Sequence, residues 1–281
     1  MRIVESVGEM KTLLKSANQS EQTIGFVATM GFLHDGHISL VEQAKSENDL
    51  VVMSIFVNPL QFGPNEDFDR YPRNFERDSK LAKEAGVDVL FYPATSEMYP
   101  SEQTVTVSVQ SGTNVLCGQS RPGHFDGVAT VVLKLFNIIE PDRVYFGMKD
   151  AQQVAVIEQM VLNFNLPIEV RRCETVREED GLAKSSRNVN LAPEERKQAV
   201  AIYESLTEAV AMITDGECDP DRIKSFIQDQ LLTKTDGVID YIEVLSYPEL
   251  KEISEIEGEI IIAIALKFAK ARLIDNVTLT V

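Results

Sequence analysis

The sequence is poor in cysteine, in basic charge and in long apolar runs, and each shortage excludes a class of protein. Its 281 residues include three cysteines, Cys117, Cys173 and Cys218, which are far apart and form no CxxC pair. Neither a disulfide framework nor a structural zinc site is therefore expected. The most apolar run, residues 260–266, is too short to cross a bilayer, and no basic-then-apolar signal segment opens the sequence. We expect a reduced, soluble, cytoplasmic protein.

The excess of acidic residues limits the kinds of molecule that this chain is expected to bind. Lys and Arg total 27 against 44 Asp and Glu, which gives a formal net charge of −17. Nucleic acids and anionic membranes attract basic surfaces, so neither is expected to bind this chain. A small anionic ligand remains compatible with the charge, because a local basic pocket can oppose the overall sign. Hydrophobic residues form 44% of the chain, which is enough for a substantial core.

Apolar strand-like runs alternate with helical patterns through the first 176 residues. Runs rich in Val, Ile and Leu that are separated by helices predict a parallel sheet covered on both faces. The predicted strands span 23–28, 50–57, 87–92, 143–146 and 168–173, and the predicted helices span 36–47, 72–85, 128–139 and 151–163. Such sheets bind ligands at the carboxyl ends of their strands, so the loops after the strands should carry the site.

The pattern changes near residue 176. Predicted helices at 193–213 and 219–232 precede predicted strands at 238–245, 259–268 and 272–281. We therefore predict two domains, an α/β domain over residues 1–176 and a smaller α+β domain over residues 177–281. The first carries 23 acids and 15 bases and the second 21 acids and 12 bases, so the second is the more acidic per residue.

The first chemical motif, TMGFLHDGH at residues 29–37, follows a predicted strand and opens a helix. Gly31 and Gly36 let the backbone approach a ligand, and the helix N-terminus offers N–H groups to an anion. His34 and His37 are one helical turn apart, so both rings can face one phosphate group. The alternative is a tight strand-to-helix turn with two surface histidines. The nucleotide site is favoured once the other motifs are added.

Neutral amides follow the next strand, in FVNPLQFG at residues 56–63. Asn58 and Gln61 can donate and accept hydrogen bonds, which suits a substrate that carries a hydroxyl and a carboxylate. Asn58 also fits an ordinary turn initiator before proline. The third and last histidine, His124, lies in RPGHFDG at 121–127, where a functional role and a structural role both remain open.

A second strand, glycine and helix sequence occurs in FGMKDAQQ at residues 146–153. Gly147 leaves room for a ring or a ribose, and Lys149 offers a point charge to phosphate. Asp150 can hold a ribose hydroxyl or a metal-bound water, but it also fits a helix cap.

The polar loop LAKSSRN at residues 182–188 places two cations and two hydroxyls in one run. Such a run suits the charge that develops on phosphoryl oxygens, and a loop between domains can close over a substrate. An exposed basic linker is the alternative. We interpret another basic run, at residues 70–77, as the solvated start of a helix.

Five segments, in this order, resemble the pantoate–β-alanine ligase (pantothenate synthetase) family: TMGFLHDGH, FVNPLQFGPNEDFDRYPR, CGQSRPGHFDGV, YFGMKDAQQ and AKSSRN. The resemblance runs through essentially the whole chain. It implies membership of the HIGH-type nucleotidyltransferase superfamily, in which AKSSRN is similar to a mobile KMSKS-like loop. The fold it implies is a Rossmann-like parallel sheet in the N-terminal domain and a small α+β lid domain after it.

The resemblance also implies a two-step reaction. The (R)-pantoate carboxylate attacks the α-phosphate of ATP to give pantoyl adenylate and pyrophosphate, and the amine of β-alanine then releases AMP and pantothenate. Mg²⁺ is implied with the nucleotide, without a dedicated protein metal site, and relatives are homodimers. The β-rich segment 104–109 is a candidate edge strand for pairing. A plain nucleotidyltransferase and an inactive nucleotide sensor are the rival interpretations.

The site residues carried over from the family form three sets. The ATP site would comprise Met30, Gly31, Phe32, Leu33, His34, Asp35, Gly36, His37, Gly147, Met148, Lys149, Asp150, Val176, Lys184, Ser185, Ser186 and Arg187. Within it, the groups that can stabilise transition-state charge are His34, His37, Lys149, Ser185, Ser186 and Arg187. Gln61 would contact pantoate and β-alanine, and Gln153 would contact pantoate. Asn58, Tyr71 and Arg121 would be supporting pocket residues.

Overall fold

Apolar runs form strands and amphipathic runs form helices in a computed structural model, which describes residues 1–63, 66 and 68–281 except for the side chains of residues 16, 18 and 19. The strands are β1 (Arg2–Val4), β2 (Ile24–Thr29), β3 (Leu50–Ile55), β4 (Val89–Phe91), β5 (Arg143–Gly147), β6 (Glu169–Cys173), β7 (Val238–Ser246), β8 (Glu259–Lys267) and β9 (Arg272–Thr280). The helices are α1 (Val7–Gln19), α2 (Asp35–Glu47), α3 (Phe75–Glu84), α4 (Thr95–Met98), α5 (Leu116–Ser120), α6 (His124–Ile139), α7 (Ala151–Asn163), α8 (Pro193–Gln198), α9 (Ala201–Thr214) and α10 (Pro220–Lys234). Within these described residues, no helix is long and apolar enough to cross a bilayer.

Six strands form a parallel sheet in the order β1-β4-β3-β2-β5-β6. Alternate residues of its strands enter opposite helix layers, as expected for a sheet with two covered faces. Val27 of β2 packs in a core with α2 and α3, whereas the adjacent Phe26 packs edge-on against Phe136 of α6. The predicted parallel sheet with flanking helices is confirmed.

Local hydrogen bonds move several predicted helix boundaries. Helix α3 begins at Phe75, three residues later than predicted, because the Asn74 side chain accepts the Arg77 N–H and caps the helix. The single helix predicted at 193–213 is wrong: α8 ends at Gln198 and α9 begins at Ala201. The N–H groups of Ile202 and Tyr203 bond to carbonyls three residues back, which tightens the chain between the two helices.

The strand predicted at 104–109 does not occur. The N–H of Val107 donates to Thr130 Oγ1, and the N–H of Val109 donates to Asp126 Oδ1. Side chains of α6 thus take two of the donors that a neighbouring strand would need.

The chain divides into two compact units. The N-terminal unit comprises Met1–Gln110, Arg121–Gly147 and Val156–Cys173, and the C-terminal unit comprises Ser111–Ser120, Met148–Ala155 and Glu174–Val281. Two short segments, 111–120 and 148–155, thus group with the C-terminal residues, which the sequence pattern did not indicate. The division at residue 176 into a nucleotide domain and a lid stays a prediction.

Strand β8 explains why those two short segments join the C-terminal unit. It is buried along nearly its whole length, in the centre of the antiparallel sheet β7-β8-β9. Ile260, Ile262 and Ile264 pack on one face with α9 and α10, whereas Ile261 and Ala263 pack on the other face with residues of segments 111–120 and 148–155. Both faces of this sheet therefore have a cover, as its unbroken apolar sequence requires.

Candidate active site

The strand order of the N-terminal unit creates a switch point beside β2. From β2 the chain passes to β3 and β4 on one side, and it returns later to place β5 on the other side. Open α/β sheets bind ligands at the carboxyl ends of the strands where the order reverses in this way. Residues 30–37 follow β2 at this edge, and Gly147 ends β5. A Cβ added at Gly147 would meet no heavy atom within 4 Å, which leaves room for a ligand on that side.

The two histidines of the first motif lie together at the start of α2. His34 is the N-cap residue, and its Nδ1 accepts the N–H of Gly36 at 3.1 Å. The Nδ1 of His37 accepts the N–H of His34 at 3.3 Å, and the ring centroids are 4.1 Å apart. Because both Nδ1 atoms act as acceptors, a neutral ring at either position carries its proton on Nε2. Each neutral ring therefore donates from Nε2, at a helix N-terminus that favours anions.

A buried carboxylate holds the loop that leads to these histidines. Asp78 of α3 is 1% exposed and accepts the N–H groups of Phe32 at 2.7 Å and Leu33 at 2.9 Å. Gly31 and Phe32 both have positive φ angles, +86° and +50°, a conformation that is strained for phenylalanine. A Cβ at Gly31 would stand 3.0 Å from the Ile55 side chain and 3.1 Å from Asp78 Oδ2, so a larger residue would be crowded there as well as strained by the positive φ.

Arg77 completes this support from the same helix. Its guanidinium lies 3.2 Å from Asp78 Oδ1, donates to the Leu33 carbonyl at 2.8 Å and stands over the Phe32 ring. Arg77 is exposed and lies in the first turn of α3, as the interpretation of the 70–77 run as a solvated helix start expects. The side chain of Leu33 is fully buried, and both its backbone polar groups are bonded to the Arg77–Asp78 pair. Its predicted ATP contact stays a prediction.

Asn58 is buried and hydrogen-bonded within the protein, and its predicted place as a supporting pocket residue stays a prediction. Asn58 is 1% exposed, caps the 3-10 turn Pro59–Gln61, and bonds to Gln61 Oε1, the Gly127 carbonyl and the Tyr99 hydroxyl. Burial raises the pKa of that tyrosine, which keeps the hydroxyl protonated. Gln61 Nε2 lies 3.1 Å from the thioether sulfur of Met30, which is a weak acceptor.

Helix α6 supports the Gln61 turn from behind. A Cβ at Gly127 would lie 2.3 Å from the Leu60 carbonyl oxygen, so only glycine lets the helix approach so closely. His124 Nδ1 lies 2.8 Å from the Gln61 carbonyl oxygen, and its Nε2 lies 3.0 Å from Arg121 Nη1. These contacts favour the structural interpretation of His124.

Arg121 in turn is bound by a carboxylate. Its Nε donates to Glu66 Oε1 at 2.9 Å, and its Nη2 donates to the second oxygen of the same group. This hydrogen bonding holds the pKa of Glu66 below its usual value of 4.5. Pro64, Asn65 and Asp67 of the same motif lie outside the described residues.

A cavity of about 520 Å³ also lies at the carboxyl edge of the N-terminal sheet. Of the predicted site residues, Met30 and Gly31 line it, together with Asp78 and residues after β3 and β4. The predicted phosphate-binding histidines do not line this cavity. The cavity therefore lies beside the loop after β2, and it does not enclose all of the predicted ATP-site residues.

In the C-terminal unit, residues 148–150 form a 3-10 turn that runs directly into α7. Lys149 Nζ lies 3.7 Å from Asp150 Oδ2, and the lysine side chain is mostly buried while the carboxylate is exposed. Asn276 Nδ2 donates to the carbonyl oxygens of Met148 at 2.9 Å and Lys149 at 3.0 Å. Gln153, predicted for pantoate, is half-buried on the first turn of α7.

The structure brings Val176 and the loop from Lys184 to Arg187 together. The N–H of Lys184 donates to the Val176 carbonyl at 2.9 Å and closes a turn between them. Within the loop, Ser185 Oγ accepts the N–H of Arg187 at 3.2 Å. Lys184 and the two serines are half-buried and Arg187 is exposed, so the loop presents two cations and two hydroxyls at the surface of its unit.

Pattern reading missed the residues that hold these groups. Asp78 directly follows the basic run at 70–77, which the sequence pattern assigned to the surface. Asn276 lies in a strand that is distant in sequence from the residues it holds. Among the described residues, no group of three or more His, Cys, Asp or Glu side chains could hold a metal ion. The three cysteines are free thiols.

Together, the sheet, its switch point and the histidine-bearing helix N-terminus define an α/β protein of the nucleotide-binding class. Comparison with known proteins makes the assignment specific. The family described as pantoate-beta-alanine ligase matches residues 2–278. The chain is 55% identical to the pantothenate synthetase of a Geobacillus species over 281 residues, which is the full length of both chains. The chain belongs to the pantoate–β-alanine ligase family.

Solved structures agree with this assignment. A crystal structure of pantothenate synthetase from Thermus thermophilus has a TM-score of 0.91 at 45% identity and covers 99% of both chains. A pantoate-beta-alanine ligase from Francisella tularensis, complexed with beta-gamma ATP and beta-alanine, has a TM-score of 0.78 at 37% identity. That match covers 99% of this chain and 97% of the other.

Proposed function

We propose that this chain joins (R)-pantoate to β-alanine with ATP, giving pantothenate, AMP and pyrophosphate through pantoyl adenylate. The observation that carries the proposal is the full-length family match together with the paired histidines at the N-terminus of α2. Helix N-termini stabilise phosphate by their N–H groups and their partial positive charge. This site gives the strongly acidic chain a local place for an anionic nucleotide.

In the first step, a carboxylate oxygen of pantoate forms a bond to the α-phosphorus, and the bond to pyrophosphate breaks. Pantoate is already ionised at neutral pH, so the step needs no protein nucleophile and no base. Negative charge grows on phosphoryl oxygens, and hydrogen-bond donors aimed at them lower the barrier. We assign this work to Nε2–H of His34 and His37 in the N-terminal unit.

The C-terminal unit supplies the other charge-stabilising groups of the proposal. Lys149, Ser185, Ser186 and Arg187 would bind phosphate oxygens, and Val176 would contact adenine. The mostly buried Lys149 side chain supports its part, because a cation held away from water interacts more strongly with an anion. Closure of the loop that bears the serines would exclude water from the adenylate.

In the second step, the neutral amine of β-alanine attacks the acyl carbon, AMP leaves, and the nitrogen gives up one proton to water as the amide bond forms. We assign Gln61 to both pantoate and β-alanine, and Gln153 to pantoate. An amide suits this double role because it can donate to a carboxylate and accept from an amine. The weak sulfur acceptor beside Gln61 Nε2 leaves this donor little to lose on binding a substrate oxygen.

Mg²⁺ would enter with ATP, held by phosphate oxygens and water. Phosphate and water oxygens are the ligands that Mg²⁺ prefers, so the nucleotide can carry the ion. We also propose a homodimer in the cytoplasm, the state of relatives that the resemblance implies.

The test compares His37→Ala with wild type in two assays. Pantoate-dependent pyrophosphate release should fall about a hundredfold or more, because a transition-state donor is lost. ATP affinity, measured by calorimetry, should change far less. His37→Gln keeps an N–H donor and should recover part of the rate. Equal losses in rate and in ATP affinity would contradict a role for His37 in adenylation.

The same assays separate the rival functions. AMP should appear only when β-alanine is added. Continued release of pyrophosphate and of an adenylated product without β-alanine would indicate a plain nucleotidyltransferase. Binding of ATP without pyrophosphate release on addition of pantoate would indicate a nucleotide sensor.

A further inference from the structure

Strand β9 carries two adjacent polar residues that are almost completely buried. Asp275 is 3% exposed and Asn276 is 8% exposed. Asp275 pairs with Ile264 of β8, on the face that packs with α9 and α10. Asn276 pairs with Ala263, on the opposite face, which packs with segments 111–120 and 148–155. Neighbouring residues of one strand therefore reach both sides of the sheet.

On one side, Asn276 holds the turn that bears Lys149. Its single amide nitrogen donates to two successive carbonyls, those of Met148 at 2.9 Å and Lys149 at 3.0 Å. The Tyr247 hydroxyl donates to the carbonyl of Ala151 at 3.2 Å. The backbone on both sides of the lysine is thus tied to the antiparallel sheet, which limits where its ammonium can lie.

On the other side, Asp275 holds the turn that leads to Lys184. Its two oxygens accept from Arg177 Nη1 at 2.6 Å and Nη2 at 3.1 Å, in a bidentate ion pair. The same guanidinium donates to the Gly181 carbonyl and stacks 3.6 Å from the Tyr203 ring. Arg177 also forms a bridge pair with Ala183. The ion pair therefore ties Arg177, and through it Gly181, to β9 within the turn that ends at Lys184.

We propose that Asp275 and Asn276 are positioning residues for ATP. From one strand they fix the two segments of the C-terminal unit that carry Lys149 and the loop from Lys184 to Arg187. The inference rests on the proposed function of those segments, and it adds a role for two residues to which the proposed reaction assigns no contact with phosphate or substrate. Small errors in the placement of charged groups cost large factors in rate, so fixed segments matter to the reaction.

Two substitutions of nearly unchanged size test the idea in the full-length chain. Asn276→Asp replaces the amide nitrogen, which bears both donors, with one oxygen atom that faces two carbonyls. Asp275→Asn removes the charge and one acceptor from the Arg177 pair. Asn137→Asp is the matched control, since Asn137 Nδ2 also donates to a backbone carbonyl, but on the exposed surface of α6.

Kinetics should separate positioning from folding. For both test variants we expect kcat/KM for ATP to fall about tenfold to a hundredfold, because misplaced cations bind the phosphates poorly. The KM for β-alanine should stay near the wild-type value. Asn137→Asp should behave as wild type. Kinetics of both test variants equal to wild type would overturn the proposal.

Hydrogen exchange followed by mass spectrometry supplies a readout without activity. Asn276→Asp should speed exchange at 148–152, and Asp275→Asn should speed exchange at 177–187, while α9 and α10 exchange as in wild type. Faster exchange throughout the C-terminal unit would mean that the pair only supports folding, and it would overturn the proposal. Should Asn276→Asp fail to fold, Asn276→Ser keeps one donor and should show the same pattern, more weakly.

The two proposals fail in different ways. If wild-type protein binds ATP but releases no pyrophosphate with pantoate, the proposed reaction is wrong. Calorimetry then decides the positioning role: weaker ATP binding in the two variants, with exchange changed only in the named segments, supports it. Unchanged ATP affinity overturns it.

Discussion

The Asp78→Asn substitution tests whether this carboxylate holds the loop that precedes His34 and His37 in place. The buried carboxylate accepts two backbone N–H groups, at 2.7 and 2.9 Å. Asparagine has one acceptor oxygen, so one of these bonds is lost and an NH₂ group faces a backbone N–H. A hydrogen bond to a charged group contributes about 1.5–3 kcal/mol, and an unsatisfied buried donor adds to that cost. We expect a total cost of about 2–4 kcal/mol.

This free-energy cost appears in the stability of the protein, in its kinetics, or in part in each. If the loop keeps its conformation, with Phe32 at positive φ, the cost appears in the free energy of unfolding measured by urea titration. If the loop relaxes, stability falls less and the cost appears in kcat/KM for ATP. Because 1.4 kcal/mol is a factor of ten, that kinetic loss lies between about thirtyfold and about a thousandfold when it takes the whole cost.

Asp142→Asn is the control, because Asp142 accepts one N–H, that of Ile24, at the amino end of β2. It should leave kcat/KM for ATP unchanged, since that edge of the sheet is opposite the predicted site. Wild-type stability together with wild-type kinetics in Asp78→Asn would refute the claim that this carboxylate holds the loop.

Two further predictions concern the Gln61 turn. Gly127→Ala places a Cβ 2.3 Å from the Leu60 carbonyl oxygen, so unfolding titrations should show a loss of about 1–3 kcal/mol, and the KM for β-alanine should rise as Gln61 moves. The hydrogen bond from Arg121 lowers the pKa of the Glu66 carboxyl. The ion pair therefore stabilises the fold fully above pH 4.5, the ordinary pKa of this group, and this stabilisation is lost as the pH falls through the lower pKa of the folded state. Thermal unfolding temperatures should therefore fall more for wild type than for Glu66→Gln between about pH 6 and about pH 3, and equal falls would contradict the ion pair.

The sequence alone was sufficient for the parallel sheet, because each strand is a short unbroken apolar run between helical patterns. The paired histidines were also predictable, since a spacing of three residues at a helix start brings two rings to one side. Strand β1 and helix α1 were not predicted: β1 has three residues, of which one is buried. Its place in the sheet depends on pairing with β4, which lies far away in sequence.

Long-range support could not be predicted from one sequence. Asp78 and Asn276 act on backbone groups 45 and 128 residues away, and nothing in the local pattern marks such partners. The grouping of segment 148–155 with the C-terminal unit has the same origin. It depends on Ile261 and Ala263, whose alternate facing in β8 is hidden by a run in which every residue is apolar.

The measurement that tests the central claim most directly is staged product release from purified protein. With ATP and (R)-pantoate present, we predict pyrophosphate release that stops after about one equivalent per chain, as bound pantoyl adenylate accumulates. Addition of β-alanine should then release AMP and pantothenate in equal amounts. Pyrophosphate release that does not depend on pantoate, or AMP release that does not depend on β-alanine, would contradict the account.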